Sequence, residues 1–167
     1  MISHLVCLLT FVVFYILQTT VFSQMALISG TADVVLLFLA AWSLQQQVSN
    51  VWLWTVIAGV FVSFVSAMPF YSPLIGYLLV VGISKMLQQR VWQNPILAMF
   101  IVTLFGTIVQ QIIYVIALQV SGASIQWGPS FDHVILPSLL LNLIFALPIY
   151  AVINDLVGRL FPLEVEA

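Results

Sequence analysis

Apolar residues run through this chain in long blocks separated by short polar interruptions, and the length of the blocks predicts helices rather than strands. Six helices are expected, over Ile2–Phe22, Thr31–Gln46, Val51–Ser66, Ser72–Leu87, Pro95–Val120 and Phe131–Val157. About 20 apolar residues cross a hydrocarbon layer of about 30 Å. The second, third and fourth blocks are shorter, and about 16 residues reach only about 24 Å, so thin flanks or the pull of neighbouring helices must complete their crossing. The last block is the least regular. Pro137 and Pro148 remove two backbone donors and leave the carbonyls of His133 and Ile144 without their helical partners, which is expensive in lipid unless a neighbour supplies one. Ser138, Asn142, Ala146, Tyr150 and Asn154 follow at four-residue steps along one face, and that stripe predicts a seam packed against protein.

Two further stripes stand out. Thr55, Gly59, Ser63 and Ala67 form a small-residue face in the third helix that lets another backbone approach, from this chain or from a partner. In the fifth helix Thr103, Gly106, Thr107, Gln110 and Tyr114 recur on one side, and Gln110 is expected to pair with Asn142 as an amide clasp. Asp33, just after Gly30-Thr31-Ala32, reads as a cap at the positive start of the second helix. Ser130 after Pro129, with Asp132 in the first turn, reads as the cap of the sixth. Asp155 and Arg159 are spaced for a modest surface pair.

Composition turns these helices into membrane helices. Of 167 residues, 63% are hydrophobic and 5% charged, too few charges to cover a water-soluble body. Residues 1–167 are expected to form a single polytopic membrane domain without nucleic-acid binding, since there is no basic run. No Lys or Arg precedes Leu5 and the first apolar run continues to Phe22, so it reads as a retained helix rather than a cleaved signal. A cytoplasmic N-terminus puts Lys85, Arg90 and Arg159 all on the cytoplasmic side of six spans, whereas merging the second and third blocks into one crossing would split them. The outer loops are then Ser23–Gly30, Ala67–Tyr71 and Ser121–Ser130. Trp52, Trp54 and Trp92 flank the short inner loops as interface anchors, and Glu164 and Glu166 end a solvated tail.

The chemistry on offer is sparse, and no enzymatic activity is expected. There is no phosphate loop, nucleophile elbow or zinc motif, and no cofactor or metal is implied. His4 and His133 fall on opposite faces of the membrane in this topology, which keeps them from sharing a metal. Cys7, the only cysteine, allows no internal disulfide.

The order and spacing of these features resemble the rod shape-determining protein MreD family across nearly the whole chain. The resemblance rests on Leu17-Gln18, Gly30 with Asp33 before Val34-Val35-Leu36-Leu37, Gly59 followed by Gly76, and most specifically on Leu136-Pro137, Asn142 and Ala146-Leu147-Pro148-Ile149-Tyr150. Members often carry Pro where this chain has Ala32 and an acidic residue where it has Ser63, so a role for that second carboxylate does not transfer. The resemblance implies an all-α bundle of six transmembrane helices, similar to the substrate-binding subunits of energy-coupling-factor vitamin transporters. It further implies a non-enzymatic scaffold in the bacterial inner membrane that binds MreC and works beside MreB, RodA and a class B penicillin-binding protein in peptidoglycan synthesis. A vitamin-transporter subunit is the rival reading; its usual Ala-x-x-x-Ala docking motif is missing from Ile2–Phe22, which holds no alanine. On the scaffold reading a partner helix docks on Gly59, Ser63, Asn142 and Tyr150, and Phe70, Tyr71 and Trp127 meet its extracytoplasmic base. Asp33, Gln110, Pro137 and Pro148 are then structural.

Overall fold

A computed structural model describes residues 2–48, 50–90 and 94–160, and all regular elements among them are helical. Trp92, Glu164 and Glu166 lie outside the described residues. Six helices follow one another: α1 (Ile2–Thr20), α2 (Val34–Leu44), α3 (Val51–Val65), α4 (Tyr71–Arg90), α5 (Pro95–Val120) and α6 (Trp127–Leu160). Three apolar stretches, His4–Gln24, Pro95–Val120 and Trp127–Leu160, are long enough to cross a membrane.

The distribution of side chains is inverted relative to a protein in water. Leu5, Leu9, Val13 and Ile16 on α1, Phe61 and Phe64 on α3, and Phe105 and Ile144 on α5 and α6 are exposed, whereas Thr55, Ser63, Thr103, Thr107, Gln110, Ser138 and Asn142 are buried. Such a surface suits lipid, where polar groups gain by turning inward to each other. The hydroxyls of α1 that remain outside bond back to the helix itself, as Thr10 does to the Val6 carbonyl (2.7 Å) and Thr20 to that of Ile16 (2.7 Å).

The organising element is α2, not α6. All eleven of its residues are buried, and it contacts α1, α3, α4, α5 and α6. A helix apolar on every side belongs in the centre of a bundle, and Val34-Val35-Leu36-Leu37-Phe38-Leu39 leaves it no polar face. It runs alongside α4 in a constant register: Tyr77 bonds to Asp33, Ser84 to the Ala40 carbonyl (3.3 Å) and Gln88 to the Leu44 carbonyl (3.1 Å), each pair 44 residues apart. The last satisfies a carbonyl at the end of α2 that its own turns leave open, whereas the Ala40 carbonyl also accepts from Ser43 within α2 (2.8 Å). The small-residue face of α3 packs on α4. A Cβ on Gly59 would come within 2.9 Å of the Leu74 Cα, and the Ser63 hydroxyl bonds to both the Gly59 and Phe70 carbonyls (2.6 Å each).

The sixth helix starts earlier than its polar pattern predicts. Gln126 precedes the first helical residue, and Ser130, the expected cap, is already helical and bonds back to the Gln126 carbonyl (2.8 Å). Pro137 reshapes the turn before it. Having no N–H, it cannot serve His133, and the helix widens over Phe131–Ile135 so that the Leu136 N–H reaches the Phe131 carbonyl. The vacated His133 carbonyl accepts instead from the Ser29 N–H (3.2 Å), the outside donor that the proline requires. Pro148 is different: it sits within the helix on an exposed face, away from the seam. Ser138, Asn142, Ala146 and Tyr150 are buried as the stripe predicts, but Asn154 has rotated out and Ile153 and Val157 continue the packed face. Four-residue steps drift by about 40° each against a 3.6-residue turn, which accounts for the change.

Trp54 is buried beside His4 (ring centroids 6.2 Å), whereas Trp52 is exposed.

Candidate functional site

The site is built where the chain enters α2. Residues 25–33 run without helical hydrogen bonding beside α6, with Leu27 and Gly30 bonded to each other across a tight turn (2.8 and 2.9 Å). Irregular backbone within a membrane bundle survives only if protein or water satisfies its polar groups. Side chains from two helices do so here. Gln18 of α1 donates to the Ala32 carbonyl (3.1 Å) and accepts from the Val34 N–H (2.6 Å). From α6, Ser138 accepts from the Thr31 N–H (3.2 Å) and Asn142 from the Asp33 N–H (2.8 Å). Gly30 lies so close to α6 that a Cβ there would meet the Ser138 nitrogen at 2.6 Å and the Val134 carbonyl oxygen at 2.8 Å. Only glycine fits that approach.

Asp33 stands at the end of this segment and caps α2, accepting from the Leu36 N–H (2.9 Å) as its position predicts. It has additional partners. Tyr77 of α4 places its hydroxyl 3.1 Å from both carboxylate oxygens, and Gln110 of α5 donates to one of them (3.0 Å) and to the Tyr114 hydroxyl (2.6 Å). Gly76 leaves room for the Gln110 amide oxygen, which has no hydrogen-bond partner among the described residues. The expected clasp between Gln110 and Asn142 does not form. Asn142 donates instead to the Thr107 hydroxyl (2.9 Å), so the two amides converge on Asp33 from different sides, one through its carboxylate and the other through its backbone. Their hydrogen bonds secure the α2 entry, and the Asn142–Thr107 bond also ties α6 to α5.

Beside Asp33 lies a cleft of about 330 Å³ lined by residues of α1, α3, α4 and α5 and of the intervening loops. Tyr15, Gln18, Thr31, Asp33, Tyr77 and Tyr114 give it a polar and aromatic wall, and Val62, Val65 and Met68 an apolar one. Its volume falls within the range of small-molecule sites, about 300–1,000 Å³.

The remaining candidate residues divide sharply. Gly59, Ser63, Asn142 and Tyr150 are buried in intramolecular contacts, while Phe70, Tyr71 and Trp127 are exposed. Phe64 joins the exposed group, its ring set edge-on to that of Phe70 (5.4 Å). Sequence reasoning missed Tyr77, which has no local signal in an apolar helix. It also passed over the structural use of Gln18, although an amide at the end of a long apolar run is itself a sign of a buried partner. Comparison with family models, curated proteins and solved structures finds no match for this chain.

Proposed function

We propose that this chain is a non-enzymatic scaffold of the bacterial cell-elongation complex, a six-span inner-membrane protein with both termini in the cytoplasm that binds MreC. The resemblance to the MreD family motivates the assignment, and MreB, RodA and a class B penicillin-binding protein are the further partners it implies. One structural observation carries the reading to a surface. Phe64, Phe70 and Tyr71 form an exposed aromatic rim where α3 turns into α4, at the end of the bundle that the positive-inside rule assigns to the outside. Aromatic side chains bury much area at little entropic cost and suit a protein partner at the headgroup level. Trp127, at the start of α6, belongs to the same end of the molecule. The MreC-binding surface is therefore moved from Gly59, Ser63, Asn142 and Tyr150, which this chain uses internally, to the rim.

Six crossings fit the α2 geometry. Eleven residues rise only about 16 Å, so on this reading the irregular residues 25–33, which turn at Leu27–Gly30, complete the path to the outer face. Photocrosslinkers at Phe64, Phe70, Tyr71 and Trp127, with Leu9 and Val13 on the exposed face of α1 as controls, test the surface. Equal capture of MreC at rim and control positions refutes it. Recovery of an ATPase-containing transport module from native membranes, in place of cell-wall synthesis proteins, refutes the scaffold itself. That outcome would favour a substrate-binding subunit of a vitamin-type transporter, for which the Asp33 cleft is the supporting observation.

A further inference from the structure

Among the described residues, the charge of Asp33 has no counterion. Its hydrogen-bond donors are the Leu36 N–H, the Tyr77 hydroxyl and the Gln110 amide, all neutral, and no Lys, Arg or His lines the cleft. Among the described residues the one salt bridge joins Asp155 to Arg159, near the far end of α6. Carboxylates enclosed in protein are ordinarily paired with a positive group, because neutral donors lower the cost of desolvation without cancelling the charge. Here Asp33, only partly buried, lines a cleft together with Tyr15, Tyr77 and Tyr114. Aromatic rings attract cations through their electron-rich faces, and carboxylates attract them through charge-assisted hydrogen bonds.

We propose that the cleft binds a small organic monocation, with its ammonium group against Asp33 among Tyr15, Tyr77 and Tyr114 and its apolar part against Val62, Val65 and Met68. Size and lining select this class. Ca2+ or Mg2+ needs a close shell of six or more oxygens and Zn2+ several His, Cys or carboxylate ligands, whereas Asp33 is the one such residue in the described lining and one wall of the cleft is hydrocarbon and thioether. A volume of about 330 Å³ holds an amine with a ring or short chain attached. A neutral ligand would leave the buried charge unanswered, and an anion would be repelled by it. The assignment is independent of the scaffold reading, since it depends on the interior of the bundle and not on the rim.

The test uses the full chain in lipid nanodiscs, titrated by calorimetry with phenethylammonium chloride and, as its neutral counterpart, 2-phenylethanol, at constant sodium chloride. Saturable binding of the ammonium, about tenfold or more tighter than the alcohol, is expected. Asp33→Asn should weaken ammonium binding by a similar factor. Because that variant loses part of the α2 cap and can fail to fold, Val62→Trp supplies a second measurement. It fills the cleft without touching any Asp33 hydrogen bond, and should abolish saturable binding while leaving only partition into lipid. The proposal is overturned by equal affinities for ammonium and alcohol, by unchanged binding in folded Asp33→Asn or in Val62→Trp, or by no saturable heat with the ammonium. Displacement of the ammonium by sodium at equal concentration would also overturn it, by identifying an inorganic cation site.

Discussion

Asn142→Leu probes the joint between α6 and the start of α2 most directly, because leucine keeps the branch point and the number of side-chain heavy atoms and removes both hydrogen bonds. The side chain is 1% exposed, accepts from the Asp33 N–H at 2.8 Å and donates to the Thr107 hydroxyl at 2.9 Å. The two losses are unequal. Thr107 sits in a helix and its hydroxyl can turn to a carbonyl one turn back, so its share should be close to the average for membrane hydrogen bonds, about 0.6 kcal/mol. The Asp33 N–H belongs to irregular backbone held in place and has no carbonyl of its own turn to return to. Leaving such a group unsatisfied costs about 1–3 kcal/mol. The expected destabilisation is the sum, about 2–4 kcal/mol, measured by equilibrium unfolding in mixed micelles of increasing denaturing detergent. Thr107→Val should cost about 0.6 kcal/mol alone and almost nothing further in the Asn142→Leu background. A loss below about 0.5 kcal/mol for Asn142→Leu would show that the entry to α2 is not held by this bond.

Gly30→Ala places a methyl group against the backbone of Val134 and Ser138, atoms that cannot swing aside, and should destabilise by about 2 kcal/mol or more in the same unfolding assay. Ile28, exposed at the turn, holds a left-handed backbone (φ 60°) that a β-branched residue adopts at a cost; Ile28→Asn should raise stability by roughly 1 kcal/mol, visible as a higher melting temperature. Arg159→Gln breaks the 2.9 Å bridge to Asp155, but both side chains are largely exposed, so unfolding should shift by no more than about 0.5 kcal/mol, and that difference should shrink as salt is added.

Helix number and type were legible because the apolar blocks are long and cleanly separated, and the α5 boundaries, Pro95–Val120, agree with the structure to the residue. Asp33 was legible as a cap, since the acid falls at the start of an apolar run, and Pro137 announced an orphan carbonyl that Ser29 does answer. What the sequence concealed is the identity of partners. Asn142 and Gln110 each advertise a buried hydrogen bond, but the spacing of amides along separate helices does not determine which third group lies between them. Uniform hydrophobicity in α2 reads equally as lipid contact and as burial on every side, so its central place was not visible. Ser130 shows the opposite failure: a strong cap residue after proline lost to a helix that had begun at Trp127. A short polar motif competes there with the regularity of the helix running through it.

The packing also restricts how any partner can be recognised. For a partner helix to reach Gly59 or Ser63, α3 would have to leave α4, breaking the Ser63 bond to the Phe70 carbonyl and uncovering the Leu74 contact in exchange for a similar contact elsewhere. Helices in lipid gain no hydrophobic driving force from such an exchange, so the intact bundle should present only its existing surface. Two variants separate these routes. Phe64→Ala with Phe70→Ala removes rim area from side chains that are 75% and 51% exposed, and should change stability by no more than about 1 kcal/mol, the worth of their edge-to-face pair. If the scaffold proposal holds, recovery of MreC with the purified chain should nevertheless fall. Gly59→Leu should behave in reverse, unfolding the α3–α4 contact so that chain abundance and partner recovery decline together. A Gly59→Leu protein of normal stability that has lost its partner, beside a rim variant that retains it, would return recognition to the buried stripe and require α3 to open during assembly.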